Sequence, residues 1–212
     1  MSLDLGVSHP GYCRVVPTSR PRKPRHPDVA TTEILGGVPK RELVIVDSDP
    51  SWPAAYQHHA ARIRAALGPT AISVEHIGST AVPGLAAKPI IDILVTVDDI
   101  TAEEDYLPPL LDAGYVLRIR EPGHRMVRTP SVDVQVHLLQ DDDPAAAEYL
   151  LFRDHLRRTP ADRELYERTK LALAEQDWAD INAYAEAKTP VIAEIKERAR
   201  RGASRPGDGR LI

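Results

Sequence analysis

The stretch EHIGSTAVPGLAAKPIIDILVTV, residues 75–97, sets a glycine–serine turn, a lysine and one isolated carboxylate between two apolar runs. Residues 89–97 are almost wholly apolar, the pattern of a strand covered on both faces. The shorter run at 73–77 reads as the strand before it. HIGST closes that first strand with Gly78 beside two hydroxyls, Ser79 and Thr80. Glycine lets a backbone come close to a phosphate, and successive N–H groups form an anion nest. Asp92 lies inside the second strand, where a charge is costly unless paired or metal-bound. Its same-face neighbours are Ile90 and Leu94, which excludes a solvent-facing position. Two readings stay open: Asp92 accepts N–H bonds from a neighbouring loop, or it holds a cation against a phosphate.

Further along, in SVDVQVHLL, Asp133, Gln135 and His137 alternate with Val132, Val134 and Val136. A period of two puts the polar three on one face. With this strand beside that of Asp92, the carboxylates of Asp92 and Asp133 would share a Mg²⁺ bridging to a phosphate; otherwise the polar face simply meets solvent. His137 is a candidate general base. Lys88, just before the Asp92 strand, meets a phosphate or stays a surface lysine. Arg153 and Arg157, four apart on the ridge carrying Tyr149, offer guanidinium forks to phosphate oxygens; Arg153 pairs with a core carboxylate in the alternative. Lys188 shares an apolar helix face with Tyr184 and Ile192, so it snorkels or finds an anion. Arg125 and Arg128 flank the SVDVQVH strand as secondary candidates.

Working outward, residues 43–46 read as a strand. Trp52, Tyr56, His59 and Ile63 follow on one helical stripe, with His59 as a core-edge histidine. A helix over 102–112 is interrupted by two prolines, and strands are expected at 115–118, 125–128 and 132–138. The last third is helical: 144–157 with Tyr149, Phe152 and Leu156, then a helix opening with Thr159 as N-cap and Pro160 in the first turn. A last helix puts Ile181, Tyr184, Ala185, Lys188, Ile192 and Ile195 on one face, kinked by Pro190. The fold class is α/β, of the α+β kind: a mixed core followed by a helical cap.

With 212 residues, 42% of them hydrophobic, the chain holds one sizeable core with appendages. Residues 1–41 contain six prolines, and between His9 and Pro27 five Lys/Arg and no acid, so they read as a disordered arm. Residues 202–212 read as a disordered tail. A formal charge of −4 argues against a dedicated nucleic-acid binder. Cys13 stands alone, which excludes an internal disulfide, and no Cys/His cluster suggests structural zinc. No apolar run reaches the ~20 residues of a membrane span, and no signal-peptide core is visible. The expectation is a cytoplasmic protein without membrane or specific nucleic-acid partners.

The string EHIGSTAVPGLAAKPIIDI resembles the signature of the GrpB (UPF0157-type) family, a group within the nucleotidyltransferase superfold. SDPSWPAAYQHHAARI is similar to that family's opening strand and Trp-bearing helix. LLFRDHLRRTPADRELYERTKLALA and INAYAEAKTPVIAEI resemble its C-terminal helices. The resemblance implies a domain over residues 42–201: a nucleotidyltransferase-like mixed sheet with flanking helices and a C-terminal helical cap. It places Glu75 and His76 in the signature. It also implies Mg²⁺-dependent transfer of a nucleotidyl or pyrophosphoryl group from a nucleoside triphosphate to a hydroxyl. The phosphates would lie over Gly78, Ser79 and Thr80, near Lys88, Arg153, Arg157 and Lys188, with Asp92 and Asp133 on the metal. Two departures from nucleotidyltransferase patterns matter. Leu94 stands where active enzymes carry a second carboxylate, as in the family itself, and Gln135 stands in place of the first histidine of the family's His-x-His pair. The first favours the alternative, a catalytically degenerate module binding a nucleotide or a coenzyme A phosphate, and the second weakens a histidine-based metal site; the family also occurs fused to dephospho-CoA kinase. A third reading is an interaction protein that uses the basic arm.

Overall fold

The computed structural model describes residues 24–36, 43–178 and 181–203. In chain order the elements are β1 (Glu33–Ile34), α1 (Trp52–Leu67), β2 (Ser73–Ile77), β3 (Ile91–Val97), α2 (Leu107–Asp112), β4 (Val116–Glu121), β5 (His124–Arg128), β6 (Val134–Gln140), α3 (Pro144–Arg158), α4 (Pro160–Ala174), α5 (Ile181–Ala187) and α6 (Thr189–Ala203). The strands form one sheet in the order β1-β4-β5-β6-β3-β2. Every pairing is antiparallel except β3 with β6. The mixed α/β architecture with a helical end is thus the one expected.

The two sheet faces differ. One presents Val74, Ile93, Val95, Val127, Val136 and Leu138 to α1 and α2, whose Trp52, Ile63, Leu67, Leu107 and Leu110 close the core over them. Each buried aliphatic side chain contributes roughly 2 kcal/mol, so this larger face dominates stability. On the other face α3 covers only one end, packing Ala146 and Leu150 against Ile77, Leu94 and Leu139. The rest of that face is left for a cavity. A third cluster joins Leu156 of α3, Tyr166 of α4 and Val191 and Ile195 of α6 to Val82 and Leu85, which clamps the helical cap onto the segment between β2 and β3.

Several expectations need correction. Residues 43–46 form no strand; Val46 makes a single bridge with Ala87. Part of the arm expected to be disordered is packed. Arg25 pairs with Asp99 and Asp105, Asp28 with buried Arg125, and β1 adds to the sheet edge. Proline removes ladder donors, but it does not prevent ion pairs. Residues 1–23, with Cys13, residues 37–41 and the tail from 204 onward lie outside the described residues, while Gly202 and Ala203 complete α6. The helix over 102–112 becomes a 3-10 turn, Glu103–Asp105, followed by α2, whose prolines sit in the first turn where a missing N–H costs nothing. Thr159 occupies the N-cap position of α4, but its side chain caps nothing. The last helix is two helices. Pro190 begins α6 instead of bending a continuous rod, so Lys188 sits at the junction; the side chain of Ile181 lies outside the described residues. His59 is the core-edge histidine expected, its Nδ1 paired with the Tyr115 hydroxyl at 2.8 Å. Among the described residues no helix is long and apolar enough to cross a membrane.

Candidate functional site

The site begins where β2 ends. Gly78 has φ 70° and ψ −173°, a backbone region open essentially to glycine alone. A Cβ there would stand 2.4 Å from Asp92 Oδ2. Glycine therefore makes the room into which Asp92 projects. The 3-10 turn Ser79–Ala81 follows. Within it the buried Thr80 hydroxyl donates to the Ile90 carbonyl at 3.0 Å and pairs with His76 Nε2 at 3.1 Å, tying the turn to the entrance of β3. His76 stacks on Tyr56 with centroids 4.7 Å apart. Burial, the largest influence, pushes its pKa down to about 4, so it is neutral at pH 7 and serves as a brace.

Asp92 pairs in register with Gln135 of β6 and Ile77 of β2. Among the described residues its closest polar partner is His137, whose Nε2 is 3.7 Å from Oδ1; no backbone amide occupies the carboxylate. His137 stacks on His124, with His124 Nε2 and His137 Nδ1 3.1 Å apart. Glu121 Oε1 lies 2.5 Å from the other His124 nitrogen. A file of polar groups therefore runs from Glu121, the last residue of β4, to Asp92. Burial and the neighbouring imidazole hold His124 below the usual histidine range despite Glu121.

Beside Asp92 opens a cavity of about 380 Å³. Its charged lining is Lys88, Lys170, Lys188, Arg118 and Arg128, against Asp92 as the one carboxylate among the described lining residues. Lys88 and Lys188 approach the Tyr184 ring at 4.5 and 4.6 Å. Burial, then Lys188, pushes the Lys88 amine down to about 8; burial also lowers Lys188, opposed by Asp92. Lys170 is the most enclosed, 3% exposed. It donates to the Ala86 carbonyl and lies 3.2 Å from Ser79 Oγ. Burial, then Lys188, pushes it down to about 7. Amines crowded out of water beside a single carboxylate lose their protons more readily, and an anion placed among them would restore their charge.

The structure brings Gly78, Ser79, Thr80, Lys88, Asp92 and Lys188 together, with His76 on Thr80 and His137 beside Asp92, and separates Asp133, Arg153 and Arg157 from the cavity. Arg153 does not line the cavity; it donates to Glu75 and Asp154, each at 2.7 Å, and to the His76 carbonyl. Arg153 therefore pairs with carboxylates, as in the alternative reading, but Glu75 and Asp154 are partly exposed and not core groups. Arg157 donates to the Ala81 carbonyl at 2.9 Å and to Asp154, bracing the turn from behind. Arg125 is buried against Asp28 and Glu103. Asp133 also stands outside the lining, with Thr129 and Ser131 hydroxyls both on its Oδ1 at 2.5 Å. The alternation that aimed it at Asp92 presupposes extended backbone, but Val132 has φ 61° and β6 starts only at Val134. Among the described residues no three His, Cys, Asp or Glu side chains are grouped to hold a metal. One carboxylate without a hydrogen bond among the described residues, next to clustered basic side chains, would suit a single Mg²⁺ whose other ligands are oxygens of a bound molecule and water. It does not fit a two-metal centre.

Lys170 and Arg118 are the site residues that the sequence reading missed. Lys170 lies four residues after Tyr166 on the buried stripe Asp162, Tyr166, Lys170, and a lysine on an apolar helix face was the signal that singled out Lys188.

The GrpB protein family matches residues 42–198 of the chain. A UPF0157 protein of Streptomyces coelicolor is 58% identical over 181 residues, covering 85% of this chain and 96% of its own. A dephospho-CoA kinase of Mycolicibacterium paratuberculosis is 33% identical over 184 residues, 73% of this chain but 45% of the kinase. The crystal structure of GrpB from Enterococcus faecalis superposes with a TM-score of 0.68 at 30% identity, covering 76% of this chain and 100% of that one.

Proposed function

The chain belongs to the GrpB family, and from that premise we propose that its cavity receives the phosphate chain of a nucleoside triphosphate, or of a related phosphate-bearing small molecule, with one Mg²⁺ on Asp92. The observation that carries this reading is the basic character of the lining, five Lys and Arg side chains around one open carboxylate. At an effective dielectric of about 20, a lysine–phosphate contact at 4 Å gains about 4 kcal/mol before desolvation, and the lysines here have already lost much of their water. Lys88 and Lys188 neutralise and orient the phosphates, Ser79 adds a hydroxyl, and Gly78 holds the turn close. The bound Mg²⁺ would screen charge on the phosphate oxygens.

In the catalytic form of this reading a nucleotidyl or pyrophosphoryl group passes to a hydroxyl acceptor, with His137 Nε2, the basic atom nearest Asp92, taking the acceptor's proton. Such transfer needs mainly positioning and charge stabilisation. The second reading is a module that binds a nucleotide or a coenzyme A-like phosphate without turnover. Its specific support is the lack of a second carboxylate: Leu94 is fully buried under α3 and Asp133 is engaged elsewhere. The similarity to a dephospho-CoA kinase, of which the match spans less than half, is consistent with an accessory role.

Asp92→Asn tests both. In calorimetry with each nucleoside triphosphate, Mg²⁺ is expected to strengthen binding about 10-fold in the native protein, the worth of one charge-assisted contact of ~1.4 kcal/mol, and to add nothing in the variant. Pyrophosphate release above the variant's background selects the catalytic form; binding without release selects the module. No affinity for any phosphate compound would remove both.

A further inference from the structure

We propose that Ser79 is a nucleophile with Lys170 as its base, and that it takes the nucleotidyl group of the bound triphosphate as a covalent serine phosphodiester. This rests on the phosphate-binding reading of the cavity.

The geometry is that of an activated hydroxyl. Ser79 opens the 3-10 turn, lines the cavity, and is held between Gly78 and the anchored Thr80. Lys170 Nζ is 3.2 Å from its Oγ. The amine reaches this point because α4 carries Asp162, Tyr166 and Lys170 on one buried stripe, with the Tyr166 ring 4.8 Å from Nζ. Among the described residues no carboxylate bonds to Lys170. Glu167, the nearest acid on its helix, is occupied by the Ala86 N–H at 2.6 Å, while the Ala86 carbonyl accepts from Lys170. One N–H is thus directed to a carbonyl, which leaves the lone pair of a neutral amine for the serine proton. The charged groups that act on this amine are Lys188, from the α5–α6 junction, and Glu167; burial and Lys188 together push it down to about 7. Had Lys170 served only to attract phosphate, a carboxylate or water-accessible position would have kept it charged.

The step balances as follows. Ser79 Oγ forms a bond to the α-phosphorus while the bond from that phosphorus to the bridging oxygen breaks. Pyrophosphate leaves with the bond's electron pair, and the serine proton ends on Lys170 Nζ. The resulting ammonium faces the new phosphodiester. An acceptor hydroxyl then attacks the same phosphorus while the bond from phosphorus to Ser79 Oγ breaks; Oγ takes its proton back from the Lys170 ammonium, and the acceptor's proton passes to His137 Nε2. Two easier displacements replace one, and a single metal-binding carboxylate suffices because the enzyme supplies its own oriented nucleophile.

The test incubates the full chain with Mg²⁺ and each nucleoside triphosphate, followed by acid quench, intact-mass and peptide mass spectrometry. Expected is a mass gain of one nucleotidyl group, a nucleoside monophosphate less one water, on the peptide holding Ser79, with a stoichiometric burst of pyrophosphate. Ser79→Ala should lose the adduct altogether, while triphosphate binding weakens by no more than about 10-fold, the worth of one hydroxyl hydrogen bond. Lys170→Met, which preserves the methylene packing, and Lys170→Arg, which stays charged, should each slow adduct formation about 10²-fold, the usual worth of a positioned base. In the native protein the adduct rate should rise as pH passes about 7. Melting curves confirm that the variants are folded. Triphosphate binding by the native chain without an adduct overturns the inference and leaves the binding reading intact. An adduct on another residue, or one undiminished in folded Lys170→Arg, also overturns it. No triphosphate binding at all removes the inference together with its premise.

Discussion

Replacing Arg125 by methionine will destabilise the protein by about 3 kcal/mol, the low end of the cost of stranding buried charge partners. Arg125 is 2% exposed. Its Nε donates to Glu103 at 2.6 Å, its Nη2 to Asp28 at 2.5 Å, and its Nη1 to the carbonyls of Glu121 and His124. Methionine fills the volume and satisfies none of these acceptors. The low end applies because both carboxylates remain about one quarter exposed and recover some water. The effect also has a pH signature. Burial pulls both carboxyls upward, but hydrogen bonds from Gly123 and Arg125 to Asp28, and from Arg120 and Arg125 to Glu103, outweigh it and leave both below their ordinary values of 3.8 and 4.5. A depressed carboxyl contributes stability above its unfolded pKa and loses it as pH falls through the folded one. Native stability should therefore drop below about pH 4.5, and the variant, already without the guanidinium, should drop less steeply. Urea unfolding at pH 7 and pH 3.5 measures both. A loss under 1 kcal/mol at pH 7 would mean that residues 24–36 are not anchored by this triad.

Gly78→Ala will reduce Mg²⁺-dependent triphosphate binding about 10²-fold, the cost of an ångström-scale displacement of a site group. The added methyl meets Asp92 Oδ2 at 2.4 Å and Asp92 Cβ at 3.0 Å. A β3 backbone fixed by ladders on both sides cannot retreat, so the carboxylate rotates out of the cavity or the turn opens. The backbone conformation adds about 1–3 kcal/mol of strain. Gly84→Ala is the control. Its φ is 76°, yet nothing stands within 4 Å of a new Cβ. It should cost stability alone and leave binding unchanged. Equal binding losses in the two variants would show that strain, not displacement of Asp92, is responsible.

Much of this was legible in the chain. The Trp52 stripe announced α1, the apolar run around Asp92 announced a strand with neighbours on both sides, and the glycine before Ser79 announced a close approach. What escaped did so for physical reasons. Asp133 fits a period of two on paper, but a left-handed residue before it ends the alternation. The guanidiniums of Arg153 and Arg157 are the right chemistry for phosphate, yet local acids and carbonyls compete for them and win. Lys170 sits in a segment, LYERTKLALA, whose surface-like composition conceals which turn faces inward. The sheet role of residues 33 and 34 depends on a partner strand more than eighty residues away, which no local pattern reports.

The parallel ladder between β3 and β6 has a consequence for how the molecule is made. Parallel neighbours cannot be joined by a tight turn, and here α2, β4 and β5 intervene in the chain. As the polypeptide leaves the ribosome, its most apolar strand has β2 on one side and a bare edge on the other until β6 is synthesised. Such an edge is a template for pairing with another nascent chain. The hazard in producing this protein is therefore intermolecular, concentrated in the interval before β6 emerges, and slower translation through that interval would lengthen it.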